Sequence, residues 1–121
     1  GHSKSKIVIK NYEISNNQGD ESIAATIEIN DNTHLIKGTG SGALDAFCNG
    51  LNQYFDTDID IKQYEQSSAG KHKNAQAIAM ISMTIDSDKY TCYHSDPDTI
   101  KASLSALLIG TAKYLGTKKP L

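Results

Sequence analysis

The apolar residues of this chain run through the same course twice, and that repeat constrains the fold more than any other feature of its 121 residues. In the first pass "KIVIKNYEI" is rich in β-formers, with Val8, Ile9, Tyr12 and Ile14. "SIAATIEI" then alternates, with Ile23, Ala25, Ile27 and Ile29 on one face and Ser22, Thr26 and Glu28 on the other. Polar turns, "SNNQGDE" and "NDNT", separate these strands and precede a short third one, "HLIK", which runs into glycines. The period then changes. Leu44, Phe47, Cys48, Leu51 and Phe55 follow helical spacing and form one buried face. Ser41 is placed to cap that helix, Asp45 lies in the first turn where negative charge is favoured, and Gly50 weakens the helix without ending it.

The second pass repeats the order. "DIDIKQYEQS" reads as a strand and "SAGKHKN" as a polar turn. "AQAIAMISMTI" follows, with Ala75, Ala77, Ala79, Ile81, Met83 and Ile85 on one face. Ile78 and Met80 on its other face predict a strand covered on both sides. After the turn "DSDK" and the short strand "YTCYH", a helix carries the stripe Ile100, Leu104, Leu107, Leu108, Thr111 and Leu115. Asp96 or Asp98 caps it, with Pro97 near its start. An internal repeat βββαβββα predicts an α+β domain of two βββα units, residues 6–55 and 58–115. Their sheets are antiparallel, each unit has one helix, and the two share a core with a natural pocket at the seam. Residues 1–5 read as a tag remnant or disordered start, and residues 116–121 as a tail.

Composition narrows the function. The length fits one domain. A net charge of −2, mixed in sign along the chain, offers no basic stripe for nucleic acid, and no apolar run reaches membrane-spanning length. Cys48 and Cys92 are too few and too far apart for a zinc motif or redox pair, and both lie in apolar patterns. Reduced, buried thiols in a cytoplasmic protein without a secretory signal are expected.

The stretch "IKGTGSGALDAF" carries glycines at alternate positions, Gly38, Gly40 and Gly42. Gly38, Gly40 and Ala43 satisfy the loose form of a dinucleotide fingerprint, with Asp58 in the acidic position. That fingerprint needs a parallel βαβ unit, whereas a meander precedes the glycines here. A tight strand-to-helix turn justifies one glycine or two. Three predict that something approaches the backbone, and the N–H groups of a helix start attract an anion. His34, His72 and His94 lack metal-binding spacing, and His34 and His94 read as solvated edge residues at corresponding places in the repeats. Asp56, Asp58 and Asp60 read as a solvated turn and strand face. No nucleophile elbow or catalytic constellation is present, and no metal or cofactor is expected.

"GSGALDAF", "YEQSSAGKHKNAQAIA" and "DTIKASLSALL", in that order between about Lys6 and Leu115, resemble the C-terminal regulatory domain of 2-isopropylmalate synthase. The same domain occurs in citramalate synthase. The family pattern is a helix-opening G-N-G-P-hydrophobic-D/A-A motif, a Tyr-containing strand, a small-residue turn followed by D/N-A-Q, and a D-I-x-x-A-S helix start. Here Ser41 stands in place of the Asn and Ala43 in place of the Pro, and "YHSDPD" replaces the glycines before the second helix. The resemblance implies two βββα units forming a homodimeric, amino-acid-binding module. The end-product amino acid binds at the seam near the dimer interface and inhibits a separate TIM-barrel catalytic domain, an acyltransferase condensing acetyl-CoA with a 2-oxo acid. That barrel is absent from these residues, so the chain itself is not expected to be catalytic. The implied effector is L-leucine, giving feedback inhibition of leucine biosynthesis, or L-isoleucine for the citramalate synthase relative. A dimerisation domain that has lost its ligand is the third possibility.

For the effector's carboxylate the helix start offers the backbone N–H groups around Gly40, Ser41 and Gly42, with Ala43 beside them, and Asp45 is the candidate for the ammonium. The places of Leu44, Ile61, Tyr64, Ala75 and Ala77 in the motifs make them candidates for the apolar side chain, and Asp96 and Pro97 for closing the pocket.

Overall fold

A computed structural model describes residues 6–69 and 75–118. Its elements are β1 (Ile7–Asn17), β2 (Asp20–Ile29), β3 (Asn32–Gly40), α1 (Ala43–Phe55), β4 (Ile59–Ala69), β5 (Gln76–Ile85), β6 (Asp88–Asp96) and α2 (Thr99–Lys118). The strands form two three-stranded antiparallel sheets, ordered β1-β2-β3 and β4-β5-β6, each followed by its helix, so the α+β expectation holds. The chain divides into two compact units, Gly1–Asp56 and Thr57–Leu121.

The third strand of each unit is longer than the apolar pattern indicates. Asn30 and Asp31, and again Asp86 and Ser87, take positive φ values of 49°, 72°, 49° and 81°. Successive positive φ angles mark a two-residue hairpin turn whose twist matches that of the flanking strands, so pairing resumes at once. Polar Asn32 and Thr33 therefore pair with Ile29 and Glu28 and belong to β3.

Both first strands carry a bulge at the same place, between Ile9 and Asn11 and between Ile61 and Gln63. The extra residue turns the following side chains over. Ile7, Ile9, Tyr12 and Ile14 thereby pair with Ile29, Ile27, Ala25 and Ile23 along one face, although their spacing in sequence is not strictly alternate.

These registers fix how the repeats superpose. From Ile29 to Ile85 and from Ala43 to Thr99 the offset is 56 residues. From Ile7 to Ile59 it is 52, because the β4–β5 connection is longer. Part of that connection, residues 70–74, lies outside the described residues, together with His2 and His72. The expected correspondence of His34 with His94 is corrected. His34 pairs with Ile27 and matches Tyr90, whereas His94 pairs with Ala79 and stands where the first repeat has Gly38.

In the first unit α1 lies on β3 and β2 and buries Ala46, Phe47, Cys48 and Leu51 against Ile23, Ala25, Ile27 and Ile36. Phe47 is fully buried, which stabilises the unit by about 2–3 kcal/mol. Leu44 and Phe55, at the two ends of the expected stripe, are only half-buried. The helix can sit so close because of two glycines. A Cβ on Gly38 would collide with the carbonyl oxygen of Ala46 and come within 2.7 Å of Gly50 N, and one on Gly50 would lie 2.8 Å from Lys37 O.

In the second unit Ala77, Ala79, Ile81, Met83 and Ile85 face α2 and are buried. The other face of β5 is not closed as expected: Ile78 and Met80 are half-exposed. Burial of α2 is wider than one stripe. Ser103, Ser105, Ala106 and Ala112 are buried as well, whereas Ile100 at its start is 37 % exposed. Polar side chains go inside because the helix satisfies them itself: Ser103 Oγ donates to Ile100 O at 2.8 Å and Thr111 Oγ1 to Leu107 O at 2.9 Å.

Candidate functional site

The two helix starts occupy the same place in the repeat and differ in chemistry. Gly40 ends β3, and Gly42 is the N-cap of α1 with extended φ and ψ of −157° and 176°. This corrects the expected cap at Ser41. Gly42 has no side chain to offer, so the first-turn N–H groups of Ala43, Leu44 and Asp45 receive no side-chain cap from it. The first intrahelical bond runs from Ala46 N–H to Gly42 O at 2.8 Å. Ser41 instead turns toward Asp45: its N–H and its Oγ both donate to Asp45 Oδ2, at 2.9 and 3.2 Å. A Cβ on Gly40 would collide with that carboxylate, whereas one on Gly42 would meet nothing within 4 Å.

The start of α2 is already filled. Asp98 Oδ1 accepts the N–H groups of Ile100 and Lys101 at 2.9 and 3.1 Å, and Asp96 Oδ1 accepts that of Asp98 at 2.9 Å. Of the two capping candidates, Asp98 holds the helix and Asp96 holds Asp98. Gln66 Nε2 donates to Thr99 O at 2.7 Å and fixes the helix start over β4. The start of α1 thus leaves its first-turn N–H groups without a side-chain cap, beside the Asp45 carboxylate, whereas Asp98 fills that of α2.

The sequence-predicted residues fall into two groups. Gly40, Ser41, Gly42, Ala43, Leu44 and Asp45 are contiguous around the first helix start. In the second unit Ile61, Tyr64, Ala77 and Asp96 share the α2-facing side of their sheet: Ile61 pairs with Met83, Tyr64 with Ile81, and Ala77 with Asp96. Tyr64 is 43 % exposed there, Ala75 immediately precedes β5, and Pro97 is exposed between β6 and α2. The sequence offers Asp96 and Asp98 as alternative caps, and the place of Asp98 directly before Thr99 is what decides between them.

The remaining chemical residues have structural occupations. His34 is not a free edge residue: its Nδ1 lies 2.9 Å from Tyr54 Oη, and its ring meets Tyr54 and Phe55 edge-on. Asp56 is the left-handed C-cap of α1, with φ 55°. Asp60 pairs with Lys62 at 2.6 Å. Cys48 and Cys92 are both buried without a disulfide, as expected, and burial pushes the Cys92 thiol up against an opposing effect of Lys113. Among the described residues no group of three or more His, Cys, Asp or Glu is gathered to hold a metal ion, and no helix is long and apolar enough to cross a membrane.

The sequence model described as the LeuA allosteric (dimerisation) domain matches residues 1–115, both repeats and both helix starts included. The chain belongs to this family. Among similar proteins, 2-isopropylmalate synthase of Agrobacterium fabrum is 29% identical over 104 residues, covering 86% of this chain and 19% of that enzyme. That of Alcanivorax borkumensis is 25% identical over 117 residues, 94% of the chain and 21% of the enzyme. That of Acetoanaerobium sticklandii is 30% identical over 94 residues, 77% and 17% respectively. The chain thus spans about a fifth of the length of these relatives. The resemblance read from the glycine, tyrosine and helix-start motifs is borne out. Within the LeuA domain described here, the glycine motif has two duties that sequence does not separate: Gly38 and Gly40 admit α1 to the sheet, and Gly42 leaves its first turn open.

Proposed function

We propose that this chain is the amino-acid-sensing and dimerisation domain of a cytoplasmic 2-isopropylmalate synthase, that it works as a homodimer, and that L-leucine bound to it inhibits a TIM-barrel catalytic domain. The match to the LeuA allosteric (dimerisation) domain over residues 1–115 carries this reading. The uncapped start of α1 supports it by giving an α-amino acid a place to dock. The effector's carboxylate takes the N–H groups of Ala43, Leu44 and Asp45, where the helix dipole favours negative charge. Its ammonium takes Asp45, whose two hydrogen bonds both fall on Oδ2, leaving Oδ1 for the ligand. Leu44, half-buried in the first turn, offers apolar contact to the side chain.

The test is thermal unfolding of the chain with leucine, isoleucine or valine in excess. A ligand at a hundredfold excess over its dissociation constant stabilises the folded state by about 2.7 kcal/mol, a plain rise in melting temperature. A rise with leucine is expected. A rise with isoleucine alone transfers the domain to a citramalate synthase. No rise with any amino acid overturns the sensing half of the proposal and leaves a dimerisation domain.

A further inference from the structure

The sheet faces turned away from the helices each carry a groove, and the grooves occupy equivalent places in the two repeats. In the first unit Glu13, Ala24 and Lys37 are paired across the three strands, and Ser15, Ser22 and Thr39 form the next rung. These two rungs line a groove of about 590 Å³ that continues round the β3 edge to α1. In the second unit the matching positions hold Glu65, Met80 and Tyr93, then Ser67 and Ile78, and the groove shrinks to about 260 Å³. In the second repeat the depression stays on the sheet face, with Ile78, Met80 and Tyr93 beside Glu65 and Ser67, whereas in the first it also takes in Asn49 and Gln53 of α1.

Ser22 Oγ and Thr39 Oγ1 share a hydrogen bond at 3.3 Å across their rung, whereas the charges of the neighbouring rung are unspent. On the same face, Glu28 is flanked by Lys6 and Lys10 at 3.5 and 3.6 Å. Glu13 and Lys37, by contrast, have neither an ion pair nor a hydrogen bond among the described residues. One strand separates them, so their backbones stand about 10 Å apart with small Ala24 as the floor. An acid and a base held apart over a small residue, beside the hydroxyls of Ser22 and Thr39, match a molecule with a cation at one end and an anion at the other. The volume suits a small molecule.

We propose that this groove binds a small zwitterion of the amino-acid class, its ammonium on Glu13, its carboxylate on Lys37 and its polar edge on Ser22 and Thr39. The site is separate from the start of α1 and does not depend on leucine sensing.

Backbone amide NMR of the chain tests it, with glycine as the minimal zwitterion and with ethanolamine and acetate as its cationic and anionic halves. Glycine is expected to shift the amides of Ser22, Ala24 and Thr39 saturably through the millimolar range, and each half alone to do so far more weakly. Glu13→Gln and Lys37→Gln, both at exposed positions, are each expected to weaken glycine binding about two- to fivefold, the worth of an exposed ion pair. Ala24→Met, which copies the second repeat, is expected to abolish it. Absence of shifts at these amides, or shifts that survive all three substitutions, overturns the proposal. Leucine sensing reads out separately at the amides of Ser41 to Asp45, so the failure of one site is distinguishable from the failure of the other.

Discussion

The hydroxyl of Tyr114 donates a hydrogen bond to Asp86 Oδ2 and so ties the late turns of α2 to the hairpin between β5 and β6. The same carboxylate accepts Asp58 N–H on Oδ1 at 3.2 Å, and Asp86 N–H donates to Asp58 O at 3.2 Å. In the first repeat Asn30 supplies only the hairpin half of this link, accepting Lys6 N–H at 3.1 Å and donating its own N–H to Lys6 O at 2.9 Å. An amide suffices there because α1 ends at Phe55, the counterpart of Thr111, and has nothing to match Tyr114. The acid in the second repeat serves the extra length of α2. The neighbouring pair of Lys118 with Asp88, at 3.4 Å and about half exposed, adds little.

The Tyr114 contact sets an alkaline limit on stability. Asp86 as hydrogen-bond acceptor, then desolvation, then the charges of Asp86 and Asp88 push the phenol from 10.0 up to about 12. A group whose pKa is raised on folding contributes stability that is complete below the unfolded value and is lost as pH rises through the folded one. Stability should thus decline between pH 10.0 and about 12. Ultraviolet titration should show one of the six tyrosines ionising late. Tyr114→Phe should remove that step. Asp86→Asn should keep the hairpin, as Asn30 does, while returning Tyr114 toward its ordinary value.

The two glycine classes predict opposite responses to one methyl group. Gly38→Ala and Gly50→Ala drive a Cβ into the backbone of the facing element, which cannot rotate away. Each should cost about 3 kcal/mol in a urea titration, the upper end for overpacking. Gly42→Ala meets open space at an ordinary extended φ, and its stability should change by less than about 1 kcal/mol. Equal losses at all three positions would mean that α1 does not rest on β3 as described.

The architecture was legible because burial wrote it into the spacing of Ile and Ala: β2 and β5 alternate and α1 carries an apolar stripe. What sequence did not display is register. The bulges at the first strands and the hairpins built from Asn-Asp and Asp-Ser pairs, rather than a glycine-containing turn, decide which residues stand opposite, and it is the hairpin register that puts His94 in the place of Gly38 rather than of His34. The glycines were recognised as admitting a close approach. That the approaching group at Gly38 is the chain's own helix emerges only when Gly50 is seen against Lys37. Glu13 and Lys37 could not be associated by any local pattern, since they share a rung only through Ala24.

The α2 cap should carry more stability than its counterpart. Asp98 satisfies two first-turn N–H groups and Asp96 braces it. Asp98→Ala should cost about 1–2 kcal/mol by denaturant unfolding, the range for loss of an N-cap. Ser41→Ala removes only one exposed hydroxyl bond to Asp45 and should cost less than half as much. A larger loss at Ser41 would show that it, rather than Gly42, delimits α1.

Gly42→Ser separates helix stability from effector binding. A serine at the N-cap supplies the missing acceptor, its Oγ taking the N–H of Leu44 or Asp45. The free domain should gain a few tenths of a kcal/mol, because glycine is already a tolerable cap. The same hydroxyl occupies N–H groups assigned to the effector's carboxylate, so leucine affinity should fall while stability rises. A purely structural site would show the two moving together. Asp45→Asn gives the complementary result: the amide oxygen can still accept from Ser41, so the turn persists, but the charge facing the ammonium is gone. Leucine affinity should drop about tenfold or more, the worth of a hydrogen bond to a charged group. Calorimetric titration of both variants decides the matter. If Gly42→Ser binds leucine as tightly as the unaltered chain, the carboxylate does not dock on α1, and the open helix start serves only to let the strand turn into the helix.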